Sequence, residues 1–213
     1  MTLVCFALPF ESAEFEKRVR SSDSVRIIHT GMGSNAAEAS LRAAVLRYNP
    51  TRIILSGFAG ALNPEWKAGD LMIALNLSSS AWVDQIVQSR RADGMRIGDL
   101  FTASEVVPSP SEKADLRKRT GADAVDMESA ALHKVAIEAG LPVLAIRSIS
   151  DDAGSDLVVP SDILLAAAGA GAVGTARLIL WVICRPSKWM PFYRFVRDSK
   201  NAQSALTRVA DLL

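Results

Sequence analysis

Two acid-bearing segments define the chemistry open to this chain: Ala124-Val125-Asp126-Met127-Glu128-Ser129 and Arg147-Ser148-Ile149-Ser150-Asp151-Asp152. Each follows a short apolar run of strand type, and in α/β proteins ligands collect outside the carboxyl ends of parallel strands. Two acids delivered to one edge can hold a sugar hydroxyl and protonate a leaving group. A third carboxylate, Glu11, follows the apolar run Leu3-Val4-Cys5-Phe6-Ala7. A carboxylate there can act as a general base on water, although most surface glutamates simply face solvent. Asp151 and Asp152 are neighbours, and in an extended chain neighbouring side chains face opposite ways, so only one of them can readily enter a site.

Two glycine turns lie upstream of these acids. Thr30-Gly31-Met32-Gly33-Ser34-Asn35 ends a strand and opens a helix, where glycine lets backbone approach a ligand and the helix N-terminus favours an anion. Ala36 follows where a dinucleotide fingerprint needs a third glycine, and the turn is not a Walker loop. Ser56-Gly57-Phe58-Ala59-Gly60-Ala61 has small residues that would let a ring or ribose lie on the backbone. On its own this second segment reads equally as a glycine-rich turn with Phe58 in the core.

The elements that must position these groups alternate in type. Strand-like runs cover 3–8, 25–30, 52–56, 70–74, 99–103, 124–126 and 143–148, and helical patterns cover 12–20, 34–48, 110–120, 127–139 and 163–183. Gly140-Leu141-Pro142 stops a helix ahead of a strand. Residues 78–94 read as a loop or irregular hairpin. Such alternation predicts an α/β fold, a three-layer αβα sandwich around a central mixed, mainly parallel twisted sheet.

Composition narrows the class further. At 213 residues and 49% hydrophobic, the chain suits one domain with a sizeable core, spanning residues 1–213 with 186–213 as an aromatic and basic extension. Its 24 Lys+Arg against 23 Asp+Glu leave no global field to attract nucleic acid. Cys5 and Cys184 are far apart, and His29 and His133 stand outside any ligand cluster, so neither a metal site nor a cofactor is expected. The N-terminus lacks a basic region before its apolar run, from which we expect a cytoplasmic, reducing setting.

The run 163–184 carries Arg177 as its one charge, a length that would pass for a membrane span. Its three glycines and its arginine favour a buried helix with a small-residue face. Trp189-Met190-Pro191-Phe192-Tyr193-Arg194-Phe195 mixes aromatic and basic residues, which fits either a membrane-interface segment or a packed terminal helix.

In their order along the chain, Ala7-Leu8-Pro9-Phe10-Glu11, Thr30-Gly31-Met32-Gly33, Ser56-Gly57-Phe58-Ala59-Gly60, Val125-Asp126-Met127-Glu128-Ser129 and Ile149-Ser150-Asp151 resemble the purine nucleoside phosphorylase/nucleosidase superfamily. Over about residues 1–180 they are most similar to its methylthioadenosine/S-adenosylhomocysteine nucleosidase and futalosine hydrolase branch. Residues 102–111 followed by Lys113, the Val125-Asp126-Met127-Glu128-Ser129 motif and Arg185-Pro186 are most similar to the hopanoid-associated phosphorylase group, whose members are taken to release adenine from adenosylhopane.

The resemblance implies a site for glycosidic cleavage. Asp151, selected over Asp152 by the Ile-Ser-Asp match, would protonate or hydrogen-bond purine N7, and its pKa would have to rise by burial for it to hold a proton near neutrality. Glu128 would grip the ribose hydroxyls, Met127 would pack on the sugar, and Glu11 would activate water. Phe58, Ala59, Gly60, Val106 and Val107, together with Gly31 and Gly33, would complete the substrate pocket. Phosphorolytic relatives surround phosphate with arginines, whereas Leu8-Pro9-Phe10-Glu11 and Leu55-Ser56-Gly57 hold none and Glu11 would repel phosphate. Phe58 departs from the serine usual in nucleosidases and implies a reshaped pocket.

The expected activity is hydrolysis of an adenine nucleoside, one whose 5′ substituent could be a membrane lipid reached through the C-terminal tail. Phosphorolysis on the same scaffold is the alternative, and a silent nucleoside-binding or membrane-peripheral module is a third. A homodimer is expected.

Overall fold

The computed structural model describes residues 1–156, 159, 185 and 188–213. The helix expected over 163–183 and Cys184 lie outside the described residues. Nine strands are described: β1 (Thr2–Phe6), β2 (Val25–His29), β3 (Arg52–Leu55), β4 (Phe58–Ala61), β5 (Leu71–Ala74), β6 (Arg96–Gly98), β7 (Leu100–Thr102), β8 (Ala124–Asp126) and β9 (Val143–Asp151). Six helices accompany them: α1 (Pro9–Val19), α2 (Ser34–Tyr48), α3 (Ser80–Gln88), α4 (Pro110–Thr120), α5 (Ser129–Glu138) and α6 (Trp189–Leu206).

The sheet runs β2-β1-β3-β9-β4-β8-β7, with β5 on β9 and β6 on β5. Among the described strands only β4·β8 and β5·β9 pair antiparallel, so the sheet is mixed and mainly parallel as expected. Side-chain alternation sorts the core into two faces. Leu3, Cys5, Ile53, Leu55, Val143 and Ala145 pack with α2 and α5 through Leu41 and Leu132. Val4, Phe6, Ile54, Leu144 and Ile146 pack instead with Phe15 of α1, Trp82 and Ile86 of α3 and Leu206 of α6. Helices thus cover both faces of one sheet. Strands buried on both sides read as continuous apolar runs, which is how β1, β3 and the first half of β9 look in the sequence.

Three expectations are corrected. Residues 80–88 form helix α3, because Trp82, Val83 and Ile86 supply an apolar stripe at helical spacing behind the flanking serines. Residues 58–61 form β4 instead of a turn, since both edges of this small-residue segment are paired, with β8 and β9. Helix α5 begins at Ser129, so Met127 and Glu128 precede it, with Glu128 at the N-cap.

The extension is not a loose tail. Ala202, Leu206, Val209 and Leu212 are fully or almost fully buried, and the last three lie in the same cluster as Val4 and Phe6. Its leading turns differ, with Trp189, Met190 and Tyr193 each more than half exposed. Among the described residues no helix is long and apolar enough to cross a membrane.

Candidate active site

The segments that follow β1 and β8, the small-residue strand β4 and the end of β9 converge on one cleft of about 730 Å³, counting its open mouth. Glu11, Phe58, Ala59, Gly60, Val106, Val107, Met127, Glu128 and Asp151 all line it. Gly31 and Gly33 do not; between them only Met32 reaches the cleft.

The glycine turn has a different task. Gly33 caps α2 at φ +84°, and its amide donates to Glu128 Oε1 at 2.7 Å. The anion expected at this helix N-terminus is therefore the protein's own carboxylate. Burial raises the Glu128 pKa above the ordinary value, opposed by the Gly33 hydrogen bond and the Arg147 charge and reinforced by Asp126.

Glu11 lies on the first turn of α1 rather than on the loop after β1. Pro9 starts the helix with its fixed φ, and Glu11 Oε2 accepts from the Leu8 amide at 3.0 Å. Oε1 accepts from the Phe58 amide at 3.0 Å, which ties the carboxylate to β4. Both oxygens are thus fixed by backbone. Desolvation raises its pKa, and the Arg147 charge is the largest opposing influence.

Arg147 is the hub that sequence reading passed over. It is buried in β9 and meets Asp126 Oδ2 at 2.8 Å, Ser129 Oγ at 2.6 Å from Nη2 and the Ser56 carbonyl at 2.7 Å from Nη1. Asp126 also accepts from Thr102 Oγ1 and the Ser129 amide, so this strand-end acid is consumed in holding the site together. The close approach depends on Gly57. Its φ is +141°, and a Cβ there would collide with Arg147 Nη1 while standing 3.2 Å from both Glu11 carboxylate oxygens. The one clue in the sequence was an arginine inside an otherwise apolar strand, which signals a buried ion pair.

Asp151 is held in another way. Its carboxylate pairs with Lys113 Nζ and accepts from Ser150 Oγ at 2.7 Å. Its side chain remains 26% exposed, so the burial expected for it is incomplete. A register shift between Ala59 and Gly60 leaves Ser150 without a β4 partner. Because of this bulge Ser150 and Asp151 both line the cleft, which strict alternation would forbid. Gly60 leaves room for the acid: a Cβ there would lie 3.2 Å from Asp151 Oδ2. Asp152 turns away, accepting from the Ala68 amide at 2.8 Å and lying 3.4 Å from Lys67.

Lys113 was also missed as a site residue. In the exposed, polar helix α4 it looks like an ordinary surface lysine, but it shares a buried stripe with Leu116. The i, i+3 spacing of that pair was the available signal. Among the described residues no group of histidine, cysteine and acid side chains could hold a metal ion. Cys5 is buried within the core, with its thiol pKa pushed up to about 12 by desolvation.

Comparison with known proteins agrees with this architecture. A curated purine nucleoside phosphorylase of DeoD type from Mannheimia succiniciproducens is 27% identical over 148 residues, 60% of this chain and 62% of its own length. The chain therefore spans less than two thirds of that relative. A 5′-methylthioadenosine/S-adenosylhomocysteine nucleosidase from Halalkalibacterium halodurans is 25% identical over 209 residues, covering 85% of this chain and 89% of that one. The native structure of futalosine hydrolase from Helicobacter pylori superposes with a TM-score of 0.70 at 16% identity, covering 100% of this chain and 97% of that one. The model of the phosphorylase superfamily matches residues 17–79 and 75–179, taking in β3, β4, β8 and β9 with the turns they send into the cleft. By that match, the chain belongs to the phosphorylase superfamily.

Proposed function

We propose that this protein hydrolyses the N-glycosidic bond of a purine nucleoside. In this reading Glu11 takes a proton from the attacking water, Glu128 holds the ribose hydroxyls and Asp151 serves N7 of the departing base. An anion near the sugar also favours the oxocarbenium-like charge that develops as the bond breaks. Glu11, pushed up by burial, is closer to neutrality than an ordinary glutamate, as an efficient general base should be.

The observation that carries hydrolysis over phosphorolysis is the charge of the cleft wall. Among the described lining residues Glu11, Glu105, Asp126, Glu128 and Asp151 are acidic, and Lys113 is the single cation. That cation is engaged with Asp151. Arg147, the nearby guanidinium, is buried and occupied by Asp126, Ser129 and the Ser56 carbonyl. Phosphate would meet acids without a free cation, whereas water needs only a base.

The finer substrate reading is an adenine nucleoside with a large apolar 5′ substituent, adenosylhopane being the example suggested by the sequence. Phe10 is half exposed and packs edge-on against Phe58 at 6.1 Å, which supports an apolar entrance beside Glu11. Exposed Trp189, Met190 and Tyr193 support peripheral contact of α6 with a membrane. The dimer belongs to the same reading, supported by exposed Leu46 and Ile137 on α2 and α5.

Incubation with a panel of adenine nucleosides, with and without phosphate, tests the reaction. Free sugar independent of phosphate is expected. Sugar 1-phosphate would replace hydrolysis by phosphorolysis, and binding without base release would leave a sensor. For the membrane arm, replacing Trp189, Met190 and Tyr193 by serine should weaken liposome binding and spare cleavage of a soluble nucleoside. Deleting 186–213 would instead remove buried Leu206, Val209 and Leu212 from the core. Unchanged liposome binding would remove the membrane from the account.

A further inference from the structure

We infer that Lys113 is a positioning residue for the leaving group, acting through Asp151; this rests on the nucleosidase reading above. Its side chain is buried, although it extends from a helix whose other faces are polar. An ammonium has three protons to donate, and three acceptors surround this one. They are Asp151 Oδ2, the Asp152 carbonyl at 2.9 Å and the Ser155 carbonyl at 3.2 Å. No proton is left to read the substituents of a purine, so Lys113 does not itself select the base. Its effect falls on Asp151.

A buried ammonium is costly unless it is paired, so its presence beside a cleft carboxylate calls for a function. Two consequences follow from the geometry. The two carbonyls fix the ammonium, and the ammonium together with Ser150 Oγ fixes both Asp151 oxygens. The same positive charge pairs with the Asp151 carboxylate, which is thereby placed to accept the N7–H of the departing base. As the C1′–N9 bond breaks, its electron pair passes to the purine, and N7 takes a proton from solvent and is held as N7–H by Asp151. Water adds to C1′ and gives a proton to Glu11, which returns it to solvent before the next turnover. The balance is nucleoside plus water to free base plus free sugar. Lys113 holds in place the carboxylate that receives N7–H, without joining any covalent change.

A leaving group that departs without a proton should not need this device. Lys113→Met is assayed on an adenine nucleoside and on 4-nitrophenyl β-D-ribofuranoside, whose phenolate leaves unprotonated. If the wild type does not accept the phenyl riboside, an N7-methylated purine riboside takes its place. We expect kcat on the nucleoside to fall about 100-fold, the order of effect of a positioned group that assists proton movement. KM should change less than about threefold, and so should turnover of the activated riboside. Adding Lys113→Met to Asp151→Asn should cost little more than Asp151→Asn alone. Should Lys113→Met not fold, Lys113→Gln, which keeps a donor and removes the charge, carries the same comparison. Equal losses on both substrates, no loss on either, or additive losses in the double variant would overturn the role of Lys113. A wild type inactive on every riboside would instead overturn the nucleosidase reading, and this one with it.

Discussion

The proposed sugar side and base side of the cleft secure their acids by opposite means. Glu11 and Glu128 are buried and accept from backbone amides of Leu8, Phe58 and Gly33. Asp151 is partly exposed and relies on two side chains, Lys113 and Ser150. Backbone amides are not exchanged by a single side-chain substitution, so the acids on the proposed sugar side are held by the main chain itself. The Arg147 hub beneath it contributes charge without entering the cleft. On the base side one substitution can change the partner of the acid while leaving the sheet intact. In the proposed reaction, attack by water and departure of the base should therefore be separable by mutation.

The largest effect that would break this contrast is expected at Arg147. Arg147→Met leaves Asp126 buried without its counter-ion and should cost about 3–5 kcal/mol of stability. Urea denaturation measures it, and a loss no larger than that of a surface charge would mean the hub is dispensable. Glu11→Gln comes next, with an expected drop in hydrolysis of about 10²–10⁴-fold. In the wild type, kcat/KM should fall on the acidic side as Glu11 is protonated, at a pH above its ordinary value of 4.5.

The sign for stability runs the other way. Raised folded values mean that Glu11 and Glu128 hold protons more tightly in the folded than in the unfolded state. Their contribution is fully present below about 4.5 and is lost as pH rises through the raised values. Glu11→Gln should therefore gain melting temperature over the wild type at pH 7 more than at pH 4, and an equal difference at both would argue against the desolvation account.

A smaller effect is expected at Gly57. Gly57→Ala must displace Arg147 or strain a backbone at φ +141°, costing about 1–3 kcal/mol and reducing activity through Glu11. Smallest is Lys67→Met. Its partner Asp152 faces away from the cleft and Lys67 is 63% exposed, so activity and melting temperature should both stay within error. A marked loss there would draw Asp152 into the site and blur the distinction between the adjacent acids.

The parts of the molecule legible in advance are those governed by local pattern. The apolar runs of β1, β3 and β9 declared themselves because they are buried on both faces, and Gly140 ended its helix in the left-handed region as expected. The acids Glu11, Glu128 and Asp151 were legible as types and as matched motifs. Their partners were not. Lys113 and Asp151 are 38 residues apart, and Gly33 and Glu128 are 95 apart, so no local spacing links them. Strand β4 was hidden because its small residues have little intrinsic strand preference and become a strand only through pairing with β8 and β9.

Strand β9 also works as a ruler between the two sides. It carries Arg147 and Asp151 on one continuous element, and its backbone is clamped by Gly57, Asp70 and Gly69. At about 3.3 Å per residue, four peptide steps set their spacing at no more than about 13 Å. An insertion or deletion at 148–150 would change that interval in whole peptide units and turn Asp151 to the other face. The same change a few residues later, in the loop after Asp152, would leave the measure untouched.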